Sequence, residues 1–217
     1  MTRLSGRVPA IVDHLLWASA DLEAGVRALE GCGGVRAVYG GSHPELGTHN
    51  ALARLGERQF VEVLAPDPGL KAGPLAHQLA RLRAPVLLMW AAGGVSATAT
   101  AARAEAAGYR ATVVPGQRRR ADGGLVRWTN VFVSGHGAGT LVPFFIEWHE
   151  GGHPADDAPR GLALASFVIE TPRPESLGAV LAALDVEVTI RESEQDRLVA
   201  ALDSPRGRFE LRGPEPD

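Results

Sequence analysis

His43-Pro44-Glu45-Leu46-Gly47-Thr48-His49-Asn50, followed shortly by Gln59-Phe60-Val61-Glu62-Val63-Leu64-Ala65-Pro66, decides how the rest of the chain is read. The first piece is polar and turn-rich, yet it carries two histidines. The second is an apolar strand pattern broken by one carboxylate. A charge inside an apolar strand is costly unless it is paired, so Glu62 requires a cation, a hydrogen-bond donor or a metal. Arg54, on the preceding strand, is one candidate for a buried salt bridge. The same pattern recurs on either side. His14 interrupts Ile11-Val12-Asp13-His14-Leu15-Leu16-Trp17, and Glu147 interrupts Phe144-Phe145-Ile146-Glu147-Trp148. A histidine alone in such a strand is otherwise a satisfied core residue.

Working outward, the punctuation gives a repeating order. Residues 11–18 read as a strand, and Asp21 caps a helix carrying Leu22, Val26 and Leu29 at helical spacing. Gly31, Gly33 and Gly34 end that helix. Val35–Tyr39 reads as a strand and is followed by a loop through Gly47. Residues 50–55 and 59–65 form a hairpin turning at Gly56-Glu57-Arg58. Pro66-Asp67-Pro68-Gly69 breaks the chain, and a short helix starts near Pro74. The order then restarts: a strand at 86–91, an alanine-rich helix at 96–107, a strand at 111–114, a hairpin turning at Asp122-Gly123-Gly124, and a closing strand through Trp148. His149 to Pro159 reads as a linker. A third restart covers a strand at 164–170, a helix from Pro174 and three further strands. The expected units are 8–68, a connecting helix at 69–84, 85–150, a linker at 151–160, and 161–213. Each of the three larger units reads as β-α-β-β-β.

Composition removes several functional classes. The chain has 217 residues, 45% hydrophobic and 22% charged, with a net charge of -3. Arg118-Arg119-Arg120 is too short to track a phosphate backbone, so no nucleic-acid partner is expected. No run of about 18 apolar residues is present, and the N-terminus lacks the apolar core of a signal peptide. No membrane partner is expected, and the cytoplasm is the expected location. The single Cys32 rules out an internal disulfide and fits a reducing compartment. No phosphate loop, dinucleotide glycine fingerprint or nucleophile elbow occurs, so no nucleotide cofactor is expected.

A tandem β-α-β-β-β module with a lone histidine in its first strand and a lone glutamate in its fourth resembles the vicinal oxygen chelate superfamily. That superfamily contains the glyoxalases, the ring-cleaving dioxygenases and the bleomycin-resistance proteins. More specifically, the chain looks like the glyoxalase-like-domain family. The resemblance is carried by Asp13-His14-Leu15, Gly47-Thr48-His49-Asn50, Val61-Glu62-Val63-Leu64-Ala65-Pro66, Val126-Arg127-Trp128, Pro143-Phe144-Phe145-Ile146-Glu147-Trp148 and His153-Pro154. It implies an α+β fold in which two modules form a half-open mixed-sheet barrel, with a third βαβββ-like module at the C-terminus that packs beside them or pairs across a homodimer.

The resemblance also implies a divalent metal (Fe, Mn, Zn, Ni or Co) held by His14, Glu62 and Glu147, with Glu62 and Glu147 as catalytic carboxylates. The remaining ligand falls at Leu87, which cannot bind metal; His49 would then complete the set, or the metal has been lost. His43, His49, Asn50, Arg127, Trp128 and Trp148 are the expected substrate contacts. The implied activity is lyase, isomerase or dioxygenase chemistry on a small oxygenated metabolite. A metal-free binding or drug-sequestering protein of the same fold is the alternative.

Overall fold

The computed structural model describes residues 10–119, 124–149 and 151–214. The first unit runs β1 (Ile11–Ala18), α1 (Leu22–Gly33), β2 (Val38–His43), β3 (Thr48–Gly56) and β4 (Gln59–Pro66). After α2 (Pro74–Leu79), the second unit runs β5 (Val86–Gly93), α3 (Ala97–Ala106), β6 (Arg110–Arg119), β7 (Leu125–Ser134) and β8 (Phe144–Trp148). The third runs β9 (Ala163–Thr171), α4 (Pro174–Ala183), β10 (Thr189–Glu192), β11 (Arg197–Asp203) and β12 (Phe209–Arg212). The expected turn at Asp122-Gly123, together with Arg120 and the residues before Ala10, lies outside the described residues. No helix among the described residues is long and apolar enough to cross a membrane.

The first two units share one eight-stranded sheet in the order β2-β3-β4-β1-β5-β8-β7-β6. Each unit pairs its first strand with its fourth in parallel, and β1 joins β5 antiparallel, so the halves mirror each other across that central seam. The sheet curls until its edges meet, where the Arg118 guanidinium on β6 donates to the Gly40 carbonyl on β2. Local chemistry starts the helices as expected. The Asp21 side chain accepts the Ala24 N–H at 2.7 Å, and Gly34 closes α1 in the left-handed conformation at φ 73°. The convex face carries the main core, with Leu15, Trp17, Val61, Val63 and Trp90 all buried there.

The third unit has the expected element order but a different strand order, β10-β9-β11-β12. Helix α4 crosses over to place β10 parallel to β9, and β11 then returns on the other side of β9. This sheet packs on the convex side of the barrel and shares its core. Phe167 and Trp90 meet at a centroid distance of 5.0 Å, and Ile169, Leu181 and Leu198 belong to the same buried cluster. Two expected boundaries shift. Residue His43 lies on β2 rather than in a loop, because an edge strand tolerates the glycines and proline around it. The strand expected at 111–114 and the hairpin after it form two long strands, β6 and β7.

Candidate active site

The concave face holds a cleft of about 690 Å³. Alternation along each strand decides which side chains enter it. Strand β4 contributes Phe60, Glu62 and Leu64; β1 contributes His14 and Leu16; β8 contributes Phe144, Ile146 and Trp148. The walls are mainly apolar and aromatic. Most polar groups come from the first unit, and the second adds Arg118 and Asn130.

Asp13 organises that end. Consecutive strand residues normally point to opposite faces, yet Asp13 Oδ1 accepts from His14 Nδ1 at 2.7 Å. A register shift between Val12 and His14 makes this geometry available: a β-bulge re-aims the Asp13 side chain. Gly93 on the adjoining strand leaves the space, since a Cβ there would sit 2.4 Å from Asp13 Oδ2. That second oxygen accepts from Trp148 Nε1 at 3.0 Å and from His153 Nε2 at 3.2 Å. The tautomers follow. His153 Nδ1 accepts the Ala155 N–H, so its Nε2 carries the proton. His14 donates through Nδ1 to that carboxylate and turns its Nε2 toward the cleft. Burial alone would raise the Asp13 pKa, but the hydrogen bonds from His14 and His153 outweigh it and hold the carboxyl down at about 2.

Opposite His14 Nε2 stands Glu62 Oε2, at 3.5 Å. Arg54 is not its partner; that guanidinium donates to the Gly56 and Ala155 carbonyls instead. Glu62 Oε1 accepts from Asn50 Nδ2 at 2.6 Å, and His43 Nε2 lies 4.0 Å from the same oxygen. Burial lowers the His43 pKa despite the attraction of Glu62, which keeps this imidazole neutral. The structure thus brings together His14, His43, Asn50, Glu62, Trp128 and Trp148. It places three expected residues elsewhere. His49 points away from the cleft, with Nδ1 3.9 Å from Asp67 Oδ2 and its ring edge-on to Tyr39. Arg127 is exposed on the outer side of β7. Glu147 faces the convex side, where Oε2 accepts the Ala97 N–H at 2.8 Å and caps α3.

This arrangement tests the implied metal. His14 Nε2 and Glu62 Oε2 are suitable donors for a divalent ion, and the Asp13 contact is the usual support for a metal-ligating histidine. The facing half offers Met89, Phe144 and Ile146, none of them a ligand for a hard or borderline ion. Leu87 is fully buried in the convex core. Among the described residues, no group of three His, Cys, Asp or Glu side chains is placed to hold a metal ion. The donor set does not fit the His14–Glu62–Glu147 centre.

Asp13, His153 and the cleft residues Asn130, Phe132 and Met89 were given no role from sequence. Asp13 and His153 did stand in the words that carry the resemblance, beside His14 and Pro154.

Comparison with known proteins agrees with this architecture. No curated protein matches the chain. The chain is similar in structure to methylmalonyl-CoA epimerase from Mycobacterium tuberculosis, at 20% identity and TM-score 0.47, over 70% of this chain and 94% of that one. It is also similar to a mutant 4-hydroxymandelate synthase from Streptomyces coelicolor, at 18% identity and TM-score 0.50, over 95% of this chain and 63% of that one. At this identity the second likeness concerns the fold alone. The family profile described as the glyoxalase-like domain matches residues 12–184, which takes in both halves of the barrel and the start of the third unit, and the chain belongs to that family.

Proposed function

We propose that this protein binds a small oxygenated molecule in the concave cleft and moves a proton on it, as an isomerase-type enzyme, with His14 as the base and Glu62 as its partner. One observation carries the reading: the Asp13–His14–Glu62 chain at the polar end of an apolar cleft. Asp13 holds His14 with its bare Nε2 facing the cleft and would stabilise the imidazolium formed there, the role a buried aspartate plays beside a basic histidine. The step is balanced within the substrate. Nε2 takes a proton from a carbon beside a carbonyl, the C–H electron pair becomes the enolate, and a proton returns to the same or the adjacent carbon. His14 Nε2 and Glu62 Oε2 flank one small position, so the proton taken by Nε2 is returned from the imidazolium, with the Glu62 carboxylate beside it as countercharge. The apolar walls limit water and strengthen these electrostatic interactions.

The test is solvent exchange. Small hydroxyketones and other enolisable carbonyl compounds are incubated in D₂O, and loss of the C–H signal is followed by NMR. The wild-type protein is expected to exchange at least one of them, and His14→Gln to slow the exchange by about a hundredfold or more. Exchange by neither protein, or equal exchange by both, rejects the reading.

A second reading, a metal-free binding or sequestering protein, is favoured by the cleft wall of the second unit, where Met89, Phe144 and Ile146 offer no titratable group. Binding without exchange, surviving both His14→Ala and Glu62→Gln, would select it. Both readings expect far less than one divalent ion per chain by elemental mass spectrometry. About one ion per chain, lost in the double variant, would restore the chelate centre.

A further inference from the structure

The cleft does not end at its polar corner. Met89, Phe132 and Phe144 line it, and they also line a second depression of about 440 Å³ that runs along the second unit to Val142 and Pro143. Aromatic rings mark the route. Phe144 meets His14 edge-on at a centroid distance of 5.5 Å, and Phe132 stacks on Phe144 at 5.5 Å and 27°. Phe132 remains 42% exposed. A large ring left in water beside an apolar trough leaves hydrophobic free energy to be gained by whatever covers it. The trough opens from the corner that holds His14, so its natural cover is the body of the molecule whose reacting end sits there.

The corner specifies the other end of that molecule. Asn50 Nδ2 is committed to Glu62, and its Oδ1 is buried against Gly40 and gives nothing to the cleft. The acceptor left to a ligand is Glu62 Oε2, beside His14 Nε2, and it suits a donor such as hydroxyl. The Arg118 guanidinium, which donates to the Gly40 carbonyl at the barrel seam, lines the same cleft and brings positive charge near Glu62 and His43.

We propose that the cleft takes an elongated molecule: an oxygenated head enters the His14–Glu62 corner, and an apolar chain lies over Phe144 and Phe132. This deepens the isomerase reading and rests on it for the placement of the head. A hydroxyl donates to Glu62 or His14, the carbonyl acidifies the carbon between them, and the chain contributes affinity through burial alone.

The probes are straight-chain 1-hydroxy-2-alkanones of four to ten carbons, titrated into wild-type protein, Phe132→Ala and His14→Gln and followed by protein NMR. In the wild type, affinity is expected to rise about threefold for each added methylene while the chain runs along the trough. In Phe132→Ala the gain for the longer members falls below twofold per methylene. In His14→Gln every member weakens while the dependence on length persists. Binding of the short members that needs His14 but ignores chain length overturns the trough and leaves the isomerase reading standing. Length-dependent binding indifferent to His14 overturns the placement of the head, and the isomerase reading with it. Failure of every member to bind overturns the proposal.

Discussion

The two halves of the barrel are built alike and used differently. Each pairs its first and fourth strands in parallel and packs a helix on the convex side. In the first half, the cleft-facing positions carry His14, Glu62, His43 and Asn50. In the second, the corresponding wall is mainly Met89, Phe132, Phe144, Ile146 and Trp148, with Arg118 and Asn130 as its polar members. Glu147, the one carboxylate of β8, faces the other way and caps α3. The scaffold is duplicated and the chemistry is not. On the proposed reading, the first half supplies the proton-handling corner and the second the largely apolar surface against which a substrate lies. Trp148 Nε1 on the second half donates to Asp13 rather than to the cleft, so in that reading the second half supports the base and does not supply one.

If this division holds, the largest effect on stability comes from the residue that links the halves. Asp13 is 3% exposed and accepts from His14, Trp148 and His153. Asp13→Ala strands the donors of His14, Trp148 and His153, the two histidines both buried. It is expected to cost about 3–5 kcal/mol, read as a lowered midpoint in urea unfolding. A loss below about 1 kcal/mol would mean that the halves are held together without this network.

The next effect is on pH. The Asp13 carboxyl is depressed from its ordinary 3.8 to about 2 in the folded protein. The unfolded chain therefore takes up the proton first as the solution is acidified. The contribution is fully present above about pH 4 and is lost as pH falls toward 2, a change of about 2 kcal/mol. His43 adds a slope of the same sign at higher pH. Its folded pKa lies below the ordinary 6.5, so protonation favours the unfolded chain and stability falls as pH drops below about 6.5. Unfolding free energies measured from pH 7 to pH 2 should show both. In Asp13→Asn the acid limb should flatten, and an unchanged acid limb would assign it to other carboxylates.

These contrasts also explain what the sequence disclosed. His14 and Glu62 were legible because each is a lone polar residue in an apolar strand, and burial then demands a partner. Glu147 met the same criterion and was misplaced for a physical reason. Phe144-Phe145-Ile146-Glu147-Trp148 is apolar on both sides, since β8 packs against the convex core through Phe145 and lines the cleft through Phe144 and Ile146. Its alternation does not tell which face is the cleft. Asp13 depended on a bulge, which leaves no periodic mark in a run of apolar residues. His153 comes from a connecting segment 140 residues away from Asp13, where glycine and proline signal only a turn. Repeated apolar runs and their punctuation marked the strands and helices along the chain. The sheet order of β9 to β12 was set by a crossover of α4 that element order alone does not encode.

Glu147 gives the smallest effect and the sharpest separation of the halves. Its carboxylate accepts the first N–H of α3, where negative charge is favoured by the unpaired amides of a helix N-terminus. Ser96 also caps this helix, but its hydroxyl lies 3.4 Å from the Ala99 N–H, a weaker contact than the 2.8 Å made by Glu147. Glu147→Ala should therefore cost about 1 kcal/mol of stability, the usual worth of a cap, and should not alter proton exchange on a bound carbonyl compound. Glu62→Gln should do the reverse: it preserves the shape of the corner and the Asn50 contact can re-form through the amide oxygen, while exchange falls with the loss of the countercharge to His14. Paired melts and exchange rates for these two variants give four numbers. If Glu147→Ala lowers exchange as much as Glu62→Gln does, both halves take part in the chemistry and the division between a reacting half and a binding half is wrong.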